Sequence, residues 1–173
     1  MNELDELWSE MLDSALDNAR AEGRGGVADY IALKATNDQI RTRSTDWLID
    51  LLIEIASDAS RELQAMTIER EEPHSFPYNG ANLVGSLLRV RHGIRAVTVE
   101  AGWPRTPTDG FMRDGALAAA RIRHFGLRER SMDLILTIID GMPQWQFTHP
   151  GGQKAEFRQA DMHRHLKVLL SEE

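Results

Sequence analysis

The side chains best suited to chemistry in this 173-residue chain fall between Glu100 and Asp114. The stretch Gly102–Asp114 (GWPRTPTDGFMRD) places Trp103, Arg105, Asp109 and Arg113 in one long loop beside Glu100. An aromatic platform combined with Arg and Asp serves small-molecule pockets and protein interfaces alike. Glu100 follows Ala96 and Thr98 on one face of a strand-like run. Burial would raise its pKa and make it a general base, whereas pairing with Arg105 would make it structural. Together with a second loop at 73–82, these five residues form the candidate ligand site, suited to a small anionic ligand.

Three further constellations compete with it. Asp46, Asp50, Glu54, Asp58 and Glu62 recur every four residues, so consecutive members are neighbours on a helix. Like charges at that spacing cost roughly 0.2–0.5 kcal/mol per pair, which calls for a compensating cation, a solvated flank, or the chain's own arginines. The series spirals around the helix, so a single Mg²⁺ or Mn²⁺ site could use only two or three members. The second set is Arg89, Arg91, Arg95, Arg121 and Arg123, with His92 and His124. If 121–123 is a strand, Arg89 and Arg91 share one face of their strand and Arg121 and Arg123 share one face of theirs. Such a face binds an acidic partner or phosphates, or pairs internally with the acidic helices. Nucleic acid is disfavoured by the net charge of −7 and by the lack of aromatic residues among these arginines. Third, the histidines are scattered. His163 and His165 lie two apart on a helix and point to different sides, so they do not chelate as a four-residue pair does.

No phosphate-cradling glycine loop, HExxH or GxSxG occurs. The sequence names neither a catalytic residue nor a cofactor, and it predicts no metal centre. With no cysteine in the chain, disulfides and thiolate chemistry are excluded. The acidic opening MNELDELWSEM is unlike a signal peptide, and Asp50 and Glu54 interrupt the longest apolar cluster. The expectation is a cytoplasmic protein without a membrane span.

Charge is distributed unevenly. Residues 1–72 carry 17 acidic and 7 basic side chains, while 83–130 carry 9 arginines against 4 acids. The elements that must position these groups follow from periodicity. Leu4, Leu7, Trp8, Met11, Leu12, Ala15, Leu16 and Ala19 recur at helical spacing after Asn2 as cap, and Gly23 and Gly25–Gly26 end that helix. Residues 27–43 read as helical, either as a separate element or running on into the next one. Ser44 or Thr45 caps a long helix reaching about Arg70, with Trp47, Leu48, Leu51, Leu52, Ile55, Ala56, Ala59, Leu63 and Met66 on its stripe. The prolines of 73–82 mark a loop.

Strands are expected at 84–91, 94–101, 132–139 and 142–148, turning at His92-Gly93 and Asp140-Gly141. The apolar run 132–139 reads as covered on both faces. Residues 115–125 (GALAAARIRHF) fit helix or strand equally. A short strand at 154–158 and a helix at 159–170 close the chain. The sum is a single α+β domain, an antiparallel sheet of four to six strands across about 83–149. Two N-terminal amphipathic helices and a C-terminal helix pack on it. The architecture suits a non-enzymatic protein-interaction module acting as a homodimer.

Overall fold

The computed structural model describes residues 3–21, 23, 25–62 and 66–171. The chain divides into two compact units, one up to Ile40 and one from Arg41 onward. The first holds α1 (Glu3–Ala21) and the opening turns of α2 (Gly25–Glu62). Gly23 adopts φ +70 and donates its N–H to Arg20 O at 3.2 Å, the left-handed residue that terminates α1. Asn2 as cap, and the side chains of Leu4, Leu7, Trp8, Ala19 and Leu63, lie outside the described residues.

The long helix does not begin at Ser44 or Thr45; of the two readings of 27–43, the one that runs on into the next element is observed, and the helix is unbroken from Gly25. Ala28, Ala32, Leu33, Lys34 and Ala35 are strong helix formers, so the helix is established upstream and passes through the hydroxyl residues. It also stops earlier than expected, at Glu62. Residues 66–70 instead open β1 (Met66–Tyr78), where Thr67 and Ile68 favour the extended chain. The segment 73–82 is therefore mostly strand, closed by a turn at Asn79-Gly80 with φ +47 and +82. Pro73 leaves its mark as a break in pairing between Glu71 and His74, because it has no N–H to donate.

The second unit is built on a seven-stranded antiparallel meander in sequence order. After β1 come β2 (Ala81–His92), β3 (Arg95–Trp103), β4 (Ala118–His124), β5 (Met132–Ile139), β6 (Met142–Thr148) and β7 (Lys154–Glu156). The sheet thus has more strands than the four to six expected, and it begins before residue 83. Both short turns read from the sequence are present: Gly93 at φ +60, and Asp140-Gly141 at +50 and +76. Residues 118–124 are strand although they include three alanines. Ala118, Ala119 and Ala120 are fully buried between two neighbouring strands, and that packing overrides a helix propensity of a few tenths of a kcal/mol.

One face of the sheet carries most of the core. It presents Leu88 and Val90, then Val97, Val99, Ala101 and Trp103, then Ile122, and finally Leu134, Leu136 and Trp145, all buried. The 41–62 portion of α2 buries Leu48, Ile49, Leu51, Leu52, Ile55 and Ala56. Two bonds tie it to the sheet side: Arg41 Nε to Leu117 O at 2.8 Å and Trp145 Nε1 to Ser44 O at 2.9 Å. Helix α3 (Gln159–Leu170) buries Met162, Leu166 and Leu169. Its C-terminal carbonyls at Val168 and Ser171 accept from Arg95 Nη1, a cation at the negative end of a helix. β5 is covered less than expected, since Ile138 and Ile139 near its end are exposed. No described helix is long and apolar enough to cross a membrane.

Candidate functional site

The other sheet face contains the charged groups. Register sets them in rows, because residues paired across strands share a face. Arg89 pairs with Thr98 and Thr98 with Arg123; Leu87 pairs with Glu100 and Glu100 with Arg121. The two arginine pairs expected to share faces therefore share the same face. Arg95, grouped with them by sequence, is on the other side, occupied by the end of α3.

Glu100 and Trp103 are separated by the sheet. They are three residues apart on one strand, so their side chains point to opposite faces. Trp103 belongs to the core, 6% exposed, with the Arg105 guanidinium stacked 3.6 Å above its ring. Arg105 also donates Nε to Val84 O at 3.2 Å. Asp109 organises its own loop: it accepts from the Arg105 and Thr106 N–H groups, the Thr106 hydroxyl and the Asn82 amide at 3.0–3.1 Å. Those bonds, led by the Asn82 amide, hold its carboxyl below the usual aspartate range. The segments 73–82 and 102–114 meet through Asn82 and Asp109, and Met112 packs on Phe76, Ala81, Leu83 and Ala119. Arg113 is exposed beside Tyr78 and Phe111, at a cavity of about 80 Å³.

Glu100 pairs with neither Arg105 nor a vacant pocket. His74 Nε2 lies 2.8 Å from its Oε2, and Arg121 Nη1 lies 3.9 Å from its Oε1. The other ring nitrogen of His74 is 3.4 Å from Glu71. The Arg121 guanidinium also sits over the rings of Tyr78 and Phe76, at 5.2 and 5.9 Å. Two facing glycines shape this part of the sheet. A Cβ on Gly85 would come 1.9 Å from Ala101 O, and one on Gly102 would come 2.6 Å from Val84 O, so only glycine fits at either position.

Beyond Glu100 the face opens into a furrow of about 720 Å³. Ala96 and Thr98 of β3 form a low floor; Arg89 and Arg91 of β2 rise on one side, and Arg123 with Phe125 on the other. Ile94 and Phe125, 93% and 77% exposed, flank its open end. No carboxylate lines it. Arg89 has Glu69 at 3.6 Å, and Arg123 is fixed by Asp133 at 2.6 Å and by the Ile122 and Met132 carbonyls at 3.3 Å. A second groove, of about 760 Å³, continues from Arg123 past Asp133, Gln146 and His149.

The acidic helix series is exposed along α2, with Arg70 3.9 Å from Asp46 and Arg61 3.5 Å from Asp58. No group of three or more His, Asp or Glu residues positioned to hold a metal ion occurs among the described residues. His163 is exposed while His165 is buried, as their spacing requires. Sequence reading missed what His165 meets: His124 Nε2 lies 2.9 Å from its Nδ1, the rings stacked 5.2 Å apart. Burial holds His165 neutral, its pKa lowered to about 4. The furrow itself was half legible. The turn at Gly93 fixes the register that brings Arg89, Thr98 and Arg123 together, but Phe125 required 118–124 to be a strand.

Comparison with known proteins returned no matching family model, no matching curated protein and no matching solved structure.

Proposed function

We propose that the chain is a non-enzymatic protein-interaction module that acts as a homodimer. The observation that carries this reading is the outer side of the first helical unit. Val27, Tyr30 and Leu33 follow one another at three-residue spacing on α2 and are 47%, 66% and 60% exposed. Met11 of α1 is 63% exposed. Ile31, four residues after Val27 and next to it on the helix surface, is half-buried, and Ala28 beside them is buried. Exposed apolar residues gathered on one helix stretch call for cover, and in a homodimer a second copy supplies it through the same patch.

The absence of a catalytic role is supported by the polar groups at the 73–82 and 102–114 segments. Arg105, Asp109 and Asn82 bond to one another or to backbone, and Glu100 is held by His74 and Arg121. Replacing Tyr30 and Leu33 together by Glu places charge in the proposed contact. Light scattering is expected to report a dimer for the native chain and a monomer for the double variant. Equal masses for the two would contradict the reading.

A further inference from the structure

We infer that the furrow over Ala96 and Thr98 is a binding site for an extended acidic peptide segment of a partner protein. The inference rests on the interaction-module reading and adds the chemistry of the partner. Four observations lead to it. First, the charged residues bordering the furrow are all arginines: Arg89, Arg91 and Arg123 on its face, and Arg95, whose side chain turns to the other side of the sheet. Arg95 is committed to α3 and Arg123 is a fixed wall. Arg89 keeps only an exposed, long ion pair with Glu69, a kind of contact worth at most about 1 kcal/mol. The Arg91 side chain is exposed and makes no hydrogen bond or ion pair with any described residue.

Second, the width suits one polypeptide. Strands are spaced about 4.8 Å apart, so the walls on β2 and β4 stand about 10 Å apart across β3. The floor between them bears only a methyl and a threonine side chain.

Third, the repeat matches. Arg89 and Arg91 are two residues apart on one strand, which places them about 6.7 Å apart. Alternate side chains of an extended peptide share that spacing. Acidic residues at every second position therefore meet both arginines in turn, and a planar guanidinium grips each carboxylate at two points. The furrow is not enclosed, as suits a passing chain more than an enclosed metabolite.

Fourth, Ile94 and Phe125 offer an apolar landing at the end, where an aromatic or aliphatic residue of the segment docks. A single exposed ring there provides no row of stacking platforms for bases.

The test uses the full chain and a fluorescein-labelled octapeptide of alternating Glu and Phe, titrated by fluorescence anisotropy. The expected result is saturable binding that weakens with salt, and no binding of the same peptide with Gln for Glu. Arg91→Glu should weaken it at least tenfold, with Arg91→Gln between the two, at unchanged thermal midpoint. Phe125→Ser should weaken it several-fold. Binding that R91E and R91Q leave within twofold of native would overturn the site. So would tighter binding of a labelled oligothymidylate or polyphosphate than of the acidic peptide. Light scattering on the same samples reads the oligomeric state separately, so a monomeric chain that binds the peptide contradicts the dimer reading alone. A dimer that does not bind it contradicts the furrow alone.

Discussion

A neutral imidazole sits in the core at His165, against His124 and within 6.3 Å of the Phe157 ring. Its pKa is lowered to about 4, first by burial and then by the neighbouring His124; Asp161 opposes that weakly. His124 is likewise lowered, by burial and by Arg130. The unfolded chain takes up a proton at His165 near pH 6.5 and the folded chain only near pH 4. Stability from this residue is therefore complete above pH 6.5 and lost as pH falls toward 4. Between pH 7 and pH 5 the loss amounts to about 2 kcal/mol. Urea unfolding at the two pH values should show it, and His165→Phe should remove most of the difference. An equal pH 7-to-5 loss in the variant would assign it elsewhere. At the surface, Asp109→Ala should leave the sheet intact but free the 104–117 connection, read as faster proteolysis there. Proteolysis at the native rate would mean the four bonds to Asp109 do not order that loop.

At the scale of elements, the β2–β3 ladder depends on Gly85 facing Gly102. A Cβ at Gly85 would meet backbone, not a yielding side chain, so Gly85→Ala should cost several kcal/mol, more than ordinary overpacking at about 1–3 kcal/mol. Circular dichroism melts would report it; a shift of only a few degrees would mean the strands separate easily. On α2, Leu52 is fully buried, and Leu52→Ala should cost about 2–5 kcal/mol. Urea titration would check it, and a loss below 1 kcal/mol would mean α2 is not anchored through its stripe.

These elements were unequally legible. The final helix was read at its observed limits because Met162, Leu166 and Leu169 keep a clean period between Arg158 and Ser171. The Asp140-Gly141 hairpin was legible because its turn chemistry is local. β1 was not, since Glu69, Arg70, Glu71, Glu72 and Pro73 look like anything but a strand. It is an edge strand whose charged residues face water, and edges tolerate such sequences. The Ser44–Thr45 start failed because a capping residue acts only where the preceding chain is not already helical. Glu100 at a strand end and Trp103 in the loop after it looked like partners. Continuation of β3 through Trp103 instead put them on opposite faces.

Each of the two units presents a distinct surface. The unit from Arg41 onward holds a sheet with a helix-bearing core on one side and an arginine-walled furrow on the other. The first unit presents Met11, Val27, Tyr30 and Leu33 to solvent. That division suits a module in which one surface makes the dimer and another holds an acidic partner. Self-association through an apolar patch strengthens little with dilution of salt, whereas arginine-mediated capture weakens as salt rises. The most direct test is sedimentation equilibrium of the full chain over a range of concentrations, at low and high salt. The account predicts a mass twice that of one chain at both salts, falling to one chain when Tyr30 and Leu33 are replaced by Glu. A single-chain mass at every concentration would contradict it.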